Sequence, residues 1–437
     1  MDIGLWARWL ALHAVPKSFM TVQAWRGNPM ARLIVNHGRG NDPYPVMEDV
    51  RSRGRLIRTP FVWVTADHAL CREILRDKRF GVTPPTGMEM PRALRMLLDR
   101  TDPGVANPVE PPAMVIVDPP DHTRYRQLVA QSFTPRAIET LDTRVAAVTS
   151  QLIDRLAANP RPDLIADYAA ALPVAMIAEI LGLPTETHAR LLEWGHHGAP
   201  LLDIGIRWST YRRAIAGLRG IDTYLNEHFR QVRAGAPSDN PFSRMAADHT
   251  LTDRELTANA ALLIGAGFET TVNLIGNGIV LLLRNPDQLV LLRDNPDLWP
   301  AAVDEILRID SPVQMTARTA QSDIEIGGQR LRAGDMVAVL LGGANRDPAV
   351  FDEPARFDIT RPNVRDHLAF ASGIHACLGA ALARIEGTTA LRALFEAYPD
   401  LHLTETPERR GLVNLHGYLR LPAHLGTARV EAAELFR

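Results

Sequence analysis

The sequence predicts a mainly α-helical protein with small β-sheets, built around one buried centre. Apolar residues at helical spacing recur along most of the chain, while strand-like pieces are few and short. Hydrophobic residues make up 46% and charged residues 22% of the 437 positions, enough apolar side chain to fill a sizeable core. The 437 residues could form two or three average domains or one large one, and residues 1–30 read as an amphipathic helical extension.

Residues 3–15 place Ile3, Trp6, Leu10 and Ala14 on one helical face. Arg8 and His13 interrupt the apolar run, and Pro16 is expected to end it. A bilayer span needs roughly 20 apolar residues, so this helix is too short and too charged to cross one, and no signal-peptide pattern is present. The chain is expected to be soluble and cytoplasmic. Two readings of the helix stay open: docking onto the body through its apolar stripe, or peripheral contact with a lipid surface.

Leu56 to Val64 follows as a strand candidate, then a helix over 66–77 in which Cys71 is a small apolar filler. The segment Gly81 to Asp118 is rich in Pro, Met and Gly and reads as a long loop, a feature usually functional or mobile. Asp118-Pro119-Pro120-Asp121 is expected to stop it and cap the next helix. Helical spacing then covers 122–133, 136–158, 165–181, 208–234, 253–283, 286–294 and 298–309. Strand-like pieces are Ile324 to Ile326, Met336 to Leu341 and Val413 to Tyr418, with a last helix over 378–397.

Net charge is −2, which supplies no global field for nucleic acid. Two cysteines, Cys71 and Cys377, exclude a disulfide framework and any cysteine-rich metal site.

The most informative string is Phe370-Ala371-Ser372-Gly373-Ile374-His375-Ala376-Cys377-Leu378-Gly379, running into Ala380-Ala381-Leu382-Ala383-Arg384. It puts a cysteine at the end of a Gly-containing loop with a helix start behind it, where backbone N–H groups and the helix dipole favour a thiolate. Such a thiolate can be a nucleophile or a ligand to a soft metal centre. No acid or second cysteine stands nearby, and Phe370 and Leu378 can line a dry pocket, which favours the ligand role over the buried filler that a lone cysteine usually is. The string resembles the haem-ligand loop of the cytochrome P450 family. The resemblance implies the fold of that family, a helical bundle around buried haem b with a minor β region, and Cys377 as axial ligand to the iron. A thiolate there pushes electron density onto the metal. Ala371 stands where the loop usually has glycine, which adds strain if that position needs positive φ.

A second string lies inside an apolar helix: Leu262-Leu263-Ile264-Gly265-Ala266-Gly267-Phe268-Glu269-Thr270-Thr271. Each helical glycine costs roughly 1 kcal/mol relative to alanine, tolerable where something approaches the backbone closely or a kink is wanted. Thr270 can bond a carbonyl four residues back or a bound oxygen species, and Glu269 can relay protons. Ala266 to Thr271 resembles the oxygen-activation segment of the same family, which implies Glu269 and Thr270 as the proton-delivery pair.

Glu305-Ile306-Leu307-Arg308 puts a carboxylate and a guanidinium on one helix face. With Pro354-Ala355-Arg356-Phe357-Asp358 downstream, the order resembles the family's Glu–Arg–Arg triad. The resemblance implies a structural frame from Glu305, Arg308 and Arg356, and a variant Glu305→Ala without haem. It further implies propionate partners in His122, Arg126, Arg318 and His375, and places Phe370, Ala266 and Gly379 against the cofactor.

The implied activity is insertion of one oxygen atom from O2 into a C–H bond of a lipophilic substrate, such as a lipid, sterol or polyketide chain. The pocket is expected to involve Leu262, Leu263, Val313 and Met315, together with the Gly81–Asp118 and Trp194–Trp208 regions. No flavin or nicotinamide fingerprint follows a strand, so electrons are expected from a separate ferredoxin and an NAD(P)H-dependent ferredoxin reductase. An H2O2-driven peroxygenase and a non-catalytic haem sensor or carrier are the rival readings. Both sit poorly with an intact acid–alcohol pair.

Overall fold

The computed structural model describes residues 2–35, 42–83, 91–235, 240–248 and 250–427. Along the chain come α1 (Ile3–Trp9), α2 (Val15–Trp25), α3 (Pro29–Val35), α4 (Tyr44–Ser52), β1 (Ile57–Arg58), β2 (Trp63–Thr65), α5 (His68–Arg76), β3 (Phe80–Gly81) and α6 (Arg92–Arg100). Next are α7 (Asp121–Ala130), α8 (Pro135–Ala157), α9 (Ala171–Leu181), α10 (His188–Gly198), α11 (Trp208–Ala234), α12 (Pro241–Ala247), α13 (Asp253–Arg284), α14 (Pro286–Asp294) and α15 (Trp299–Ile309). The C-terminal part holds β4 (Thr316–Ala320), β5 (Ile324–Ile326), β6 (Gln329–Leu331), β7 (Met336–Val339), α16 (Leu341–Ala344), α17 (Ala380–Ala397), β8 (His402–Leu403), β9 (Glu408–Arg409), β10 (Tyr418–Arg420) and β11 (Ala423–His424).

The expected helices are all present within a few residues of their bounds, and some carry their own start signal. Asp67 accepts the Leu70 N–H at 2.7 Å to cap α5. Thr252 and Glu255 form a reciprocal capping box on α13, with Thr252 N–H to Glu255 Oε2 at 2.7 Å and Glu255 N–H to Thr252 Oγ1 at 3.2 Å. α13 is apolar around most of its circumference, the signature of a central helix. By length and composition alone it could cross a membrane, yet 72% of its most apolar window is buried inside the protein. It is α-helical without interruption through the glycines. Gly267 instead admits Ile177, whose Cγ1 lies 2.7 Å from where a Cβ would stand.

Other expectations need correction. The N-terminal helix does not end at Pro16. A π turn, Leu10–Ala14, joins α1 to α2, and Pro16 follows it directly in a backbone that stays helical. The segment Gly81 to Asp118 is not loop throughout, since it contains α6; residues 84–90 of it lie outside the described residues. Neither Asp118 nor Asp121 caps α7, which has no side-chain cap. The Asp118 carboxylate accepts the N–H groups of Val82 (2.9 Å) and Thr83 (3.0 Å) and so ties down the end of β3. Of Val413 to Tyr418 only Tyr418 enters a strand, while Leu415 forms a single bridge with Val313.

The main sheet has the order β1-β2-β7-β4-β3. β2 runs parallel to β7, with Val64 opposite Ala338, and β4 runs antiparallel to it, with Arg318 opposite Val337. Arg318 is therefore a residue of the sheet.

α13 packs lengthwise on α17 in parallel register. Gly278 receives Leu391, and Leu274 packs into the space at Gly387. Thr271 bonds Glu386 of α17 in the same sense, so the stretch of α13 before Thr271 lies toward the end of α17 that follows Cys377.

Candidate haem site

The loop before α17 is closed by backbone bonds, from Cys377 N–H to the Phe370 carbonyl (2.9 Å) and from Ala376 N–H to the Gly373 carbonyl (3.1 Å). Closure demands left-handed backbone at two positions, Ala371 (φ +55°) and Gly373 (φ +77°). Gly373 cannot be replaced, because a Cβ there would lie 2.2 Å from the Leu75 carbonyl oxygen. Ala371 can, and it carries the strain the sequence foresaw. Cys377 is accessible, although protein atoms crowd around its sulfur. Burial pushes its thiol up, while the Gly379 N–H and the guanidinium groups of Arg126 and Arg384 pull it down. The net effect is upward, so a metal at this sulfur would favour the thiolate by its own charge, aided by the Gly379 N–H and the two guanidinium groups.

Two neighbouring acids of α15 hold the frame around this loop. Fully buried Glu305 receives Arg308 in bidentate fashion, at 2.6 and 2.7 Å, and the Asp358 N–H at 3.0 Å. The second arginine on Glu305 is Arg361, whose Nε lies 3.4 Å away. Arg356, expected in that role, is exposed and pairs with Glu353. It contributes only its carbonyl, which accepts from Arg308 (3.1 Å) and Arg361 (3.2 Å). The chain turns after Arg356, and five residues are needed to bring a side chain back to the acid. Sequence order therefore located the loop but not the residue.

Asp304, buried beside Glu305, bonds Arg384 (2.7 Å), His367 (3.2 Å) and Arg365 (3.2 Å). It thereby clamps the chain on both sides of Cys377. Arg384 in turn covers the Phe370 ring at 4.7 Å. Asp304 was not foreseen; its signal was a second acid in an otherwise apolar, buried helix.

Four cationic or protonatable groups converge near the loop. Arg126 donates to the Ala376 carbonyl at 2.8 Å. The rings of His122 and His375 lie 4.2 Å apart. Arg318, buried in β4, donates to the Ala317 carbonyl at 2.8 Å. Burial pushes its guanidinium down to about 10, partly opposed by Asp118. His375 is pushed down to about 3 by burial and then by Arg318 and His122. Its Nε2 is buried with no hydrogen-bond partner among the described residues, and neither Arg126 nor Arg318 makes an ion pair there. Buried, unpaired positive charge is costly. This set fits a group carrying two carboxylates, as haem does.

Around the glycines of α13, Leu262, Gly265, Ala266 and Thr270 are at least partly accessible, and Ala266 is exposed in the middle of a core helix. Spacing of three and four residues puts them on one face. Thr270 Oγ1 donates to the Ala266 carbonyl at 2.9 Å. Glu269, one position round the helix, is buried and ion-paired with Arg410, whose Nη2 lies 2.9 Å from His196 Nδ1. Neither partner was legible in the sequence, since they lie in the last β region and in α10. Of the expected pocket residues, Leu262 stays on the open face. Leu263 turns into the main core, so it is not a pocket residue. Val313 and Met315 are half-buried and pack against the clusters flanking the main sheet. In the Trp194–Trp208 region, Trp194 packs onto Gly220 and beneath Arg190.

The family model for cytochrome P450 matches residues 220–410. A Mycobacterium tuberculosis protein named cytochrome P450 140 is 44% identical over 429 residues, 96% of this chain and 98% of its own length. The 6-deoxyerythronolide B hydroxylase of Saccharopolyspora erythraea is 39% identical over 317 residues, 70% of this chain and 76% of its own. The crystal structure of P450BioI in complex with an acyl carrier protein ligated to hexadec-9Z-enoic acid superposes with a TM-score of 0.77 at 32% identity, covering 88% of this chain and 98% of that one. The geometry and the likeness agree: the chain belongs to the cytochrome P450 family and is a haem-binding monooxygenase.

Proposed function

We propose that this enzyme hydroxylates a lipophilic substrate of lipid, sterol or polyketide type in the cytoplasm. Its two electrons come from a separate ferredoxin and an NAD(P)H-dependent ferredoxin reductase. The observation that carries the reading is the juxtaposition of the Cys377 loop, the unpaired Arg126–Arg318–His122–His375 cluster and the open face of α13. Cys377 would hold the haem iron through its sulfur, and the cluster would receive the propionates, which would give the buried His375 Nε2 its partner. Phe370, Ala266 and Gly379 bound the cofactor's faces. When bound, haem supplies the one-electron and O2 chemistry.

The chain's own contribution is positioning and proton handling. Thr270, held by the Ala266 carbonyl, presents a hydroxyl on the open face. Glu269 lies behind it as the carboxylate that supplies protons, restrained by Arg410. Leu262 gives the pocket an apolar wall. The lipid or polyketide class rests on that wall and on two similar proteins, whose names specify 6-deoxyerythronolide B and a hexadecenoyl-carrying protein.

The test begins with the CO difference spectrum of the reduced holoenzyme beside Cys377→Ala. A strongly red-shifted Soret band in the wild type alone supports thiolate ligation, and an imidazole-like spectrum in both removes Cys377 from its role. Spin-state titration with fatty acids, sterols and polyketide lactones then assigns the class. Product formed with NADH, a surrogate ferredoxin and reductase separates a monooxygenase from a sensor, and the same assay with H2O2 alone separates it from a peroxygenase.

A further inference from the structure

α2 buries Met20 and Gln23 against the body and leaves the opposite face uncovered. Val15, Phe19 and Val22 share that face at spacings of four and three residues, with Trp25 one turn on and 84% exposed. The Phe19 ring meets Phe61 edge-on at 5.9 Å, which extends the apolar surface onto the β1–β2 connection. Isolated exposed apolar residues need no explanation, but a contiguous aromatic face does.

Exposed cations lie on α2 and α3, while Arg8 is buried against Glu110 at 2.9 Å. Residues 3–41 contain Arg8, Lys17, Arg26, Arg32 and Arg39 and no Asp or Glu, in a chain whose net charge is −2. Arg26 and Arg32 are exposed and make no ion pair among the described residues. Directly beyond Trp25, a cleft of about 310 Å³ is lined by Gln23, Arg26, Arg53, Arg58 and Thr59. Arg53 is neutralised in part by Asp49 (2.8 Å), and Arg58 lies over the Trp63 ring. Arg26 remains as the uncompensated charge at the mouth.

We infer that this face docks peripherally on an anionic lipid bilayer. Phe19, Val22 and Trp25 enter the acyl–headgroup boundary, and the Arg26 cleft receives a phosphate-bearing headgroup. An amphipathic helix with aromatic residues on one side and arginine on its flank is built for that boundary, and neither element alone suffices for stable binding. Charge complementarity selects anionic lipid over neutral lipid. It also disfavours a second copy of this chain, whose matching face would bring Arg26 against Arg26. The consequence is delivery: a lipophilic substrate dissolved in the membrane reaches the enzyme without crossing bulk water.

The experiment is co-sedimentation of the full-length holoenzyme with sonicated vesicles of phosphatidylcholine, with and without phosphatidylglycerol. Phe19→Ser/Trp25→Ser and Arg26→Glu serve as variants, and each is checked for a wild-type CO difference spectrum. The expected result is pelleting with phosphatidylglycerol vesicles only, weakened by salt, and reduced roughly tenfold or more by either variant. Three outcomes overturn the inference. They are no pelleting with either vesicle, pelleting that both variants retain, or a wild-type dimer in sedimentation velocity that Phe19→Ser/Trp25→Ser converts to monomer. The last assigns the face to self-association.

Discussion

Ala371 holds a left-handed backbone that costs an L-residue roughly 1–2 kcal/mol, in a loop where Gly373 is fixed by contact with Leu75. Ala371→Gly removes that strain and gives back part of the gain as extra freedom in the unfolded chain. The holoenzyme melting midpoint is expected to rise by roughly 1–3 °C, with the CO spectrum unchanged. Thermal denaturation followed at the Soret band checks it, and a lower midpoint would show the strain is absorbed elsewhere. Glu386 of α17 is a second single-residue case. Burial pushes its carboxyl up to about 8, while a hydrogen bond from Thr271 pulls it back. Its folded-state pKa lies above the unfolded one, so the folded protein holds the proton more tightly. That contribution to stability is complete below the ordinary carboxylate range and is lost as pH rises through about 8. Glu386→Gln should flatten the fall in denaturation midpoint over this window, and an unchanged slope would assign it to other groups.

At the scale of elements, α15 positions the site through two adjacent acids with different tasks. Glu305 gathers Arg308, Arg361 and the Asp358 N–H into the meander before the loop. Asp304 ties His367 and Arg384 on either side of the ligand cysteine. Removing one partner from a buried pair leaves a charge without compensation, at roughly 3–5 kcal/mol. Glu305→Ala and Arg308→Ala should accordingly yield protein with little or no haem. The discriminating comparison is Arg361→Ala against Arg356→Ala: the first should lower haem content and midpoint, and the second should leave haem content at the wild-type level. The ratio of Soret to protein absorbance of the purified variants reads this directly, and equal loss in both would restore Arg356 to the triad.

Across the whole molecule, the Glu269–Arg410–His196 chain joins the central helix, the last β region and α10. Three segments far apart in sequence thus meet at one buried carboxylate beside the open face of α13. Arg410→Leu leaves Glu269 buried and unpaired, and urea denaturation should show a loss of roughly 3–5 kcal/mol. Adding Glu269→Gln should recover most of it, since the two sites share one interaction. Additive losses would mean that Arg410 stabilises through packing alone.

Much of this architecture is local and was therefore legible. Helix α13 announces itself through its capping box and unbroken apolar run, and the Cys377 loop through a contiguous string whose conformational demands fall on Ala371 and Gly373. His122 and Arg126 share a face by helical spacing alone. What the sequence by itself determined is thus the helical class, the strained Cys377 loop, the adjacency of Glu269 and Thr270, and the family. Tertiary structure decided the remainder. Arg361 displaces Arg356 because the path of the meander, not order along the chain, selects which guanidinium returns to Glu305. Leu263 leaves the pocket because packing fixes the rotation of α13, which a helix apolar on nearly all sides does not encode. Arg410 and His196 reach Glu269 only after three distant segments converge, and ion pairs between such segments depend on a closing distance that no spacing rule contains.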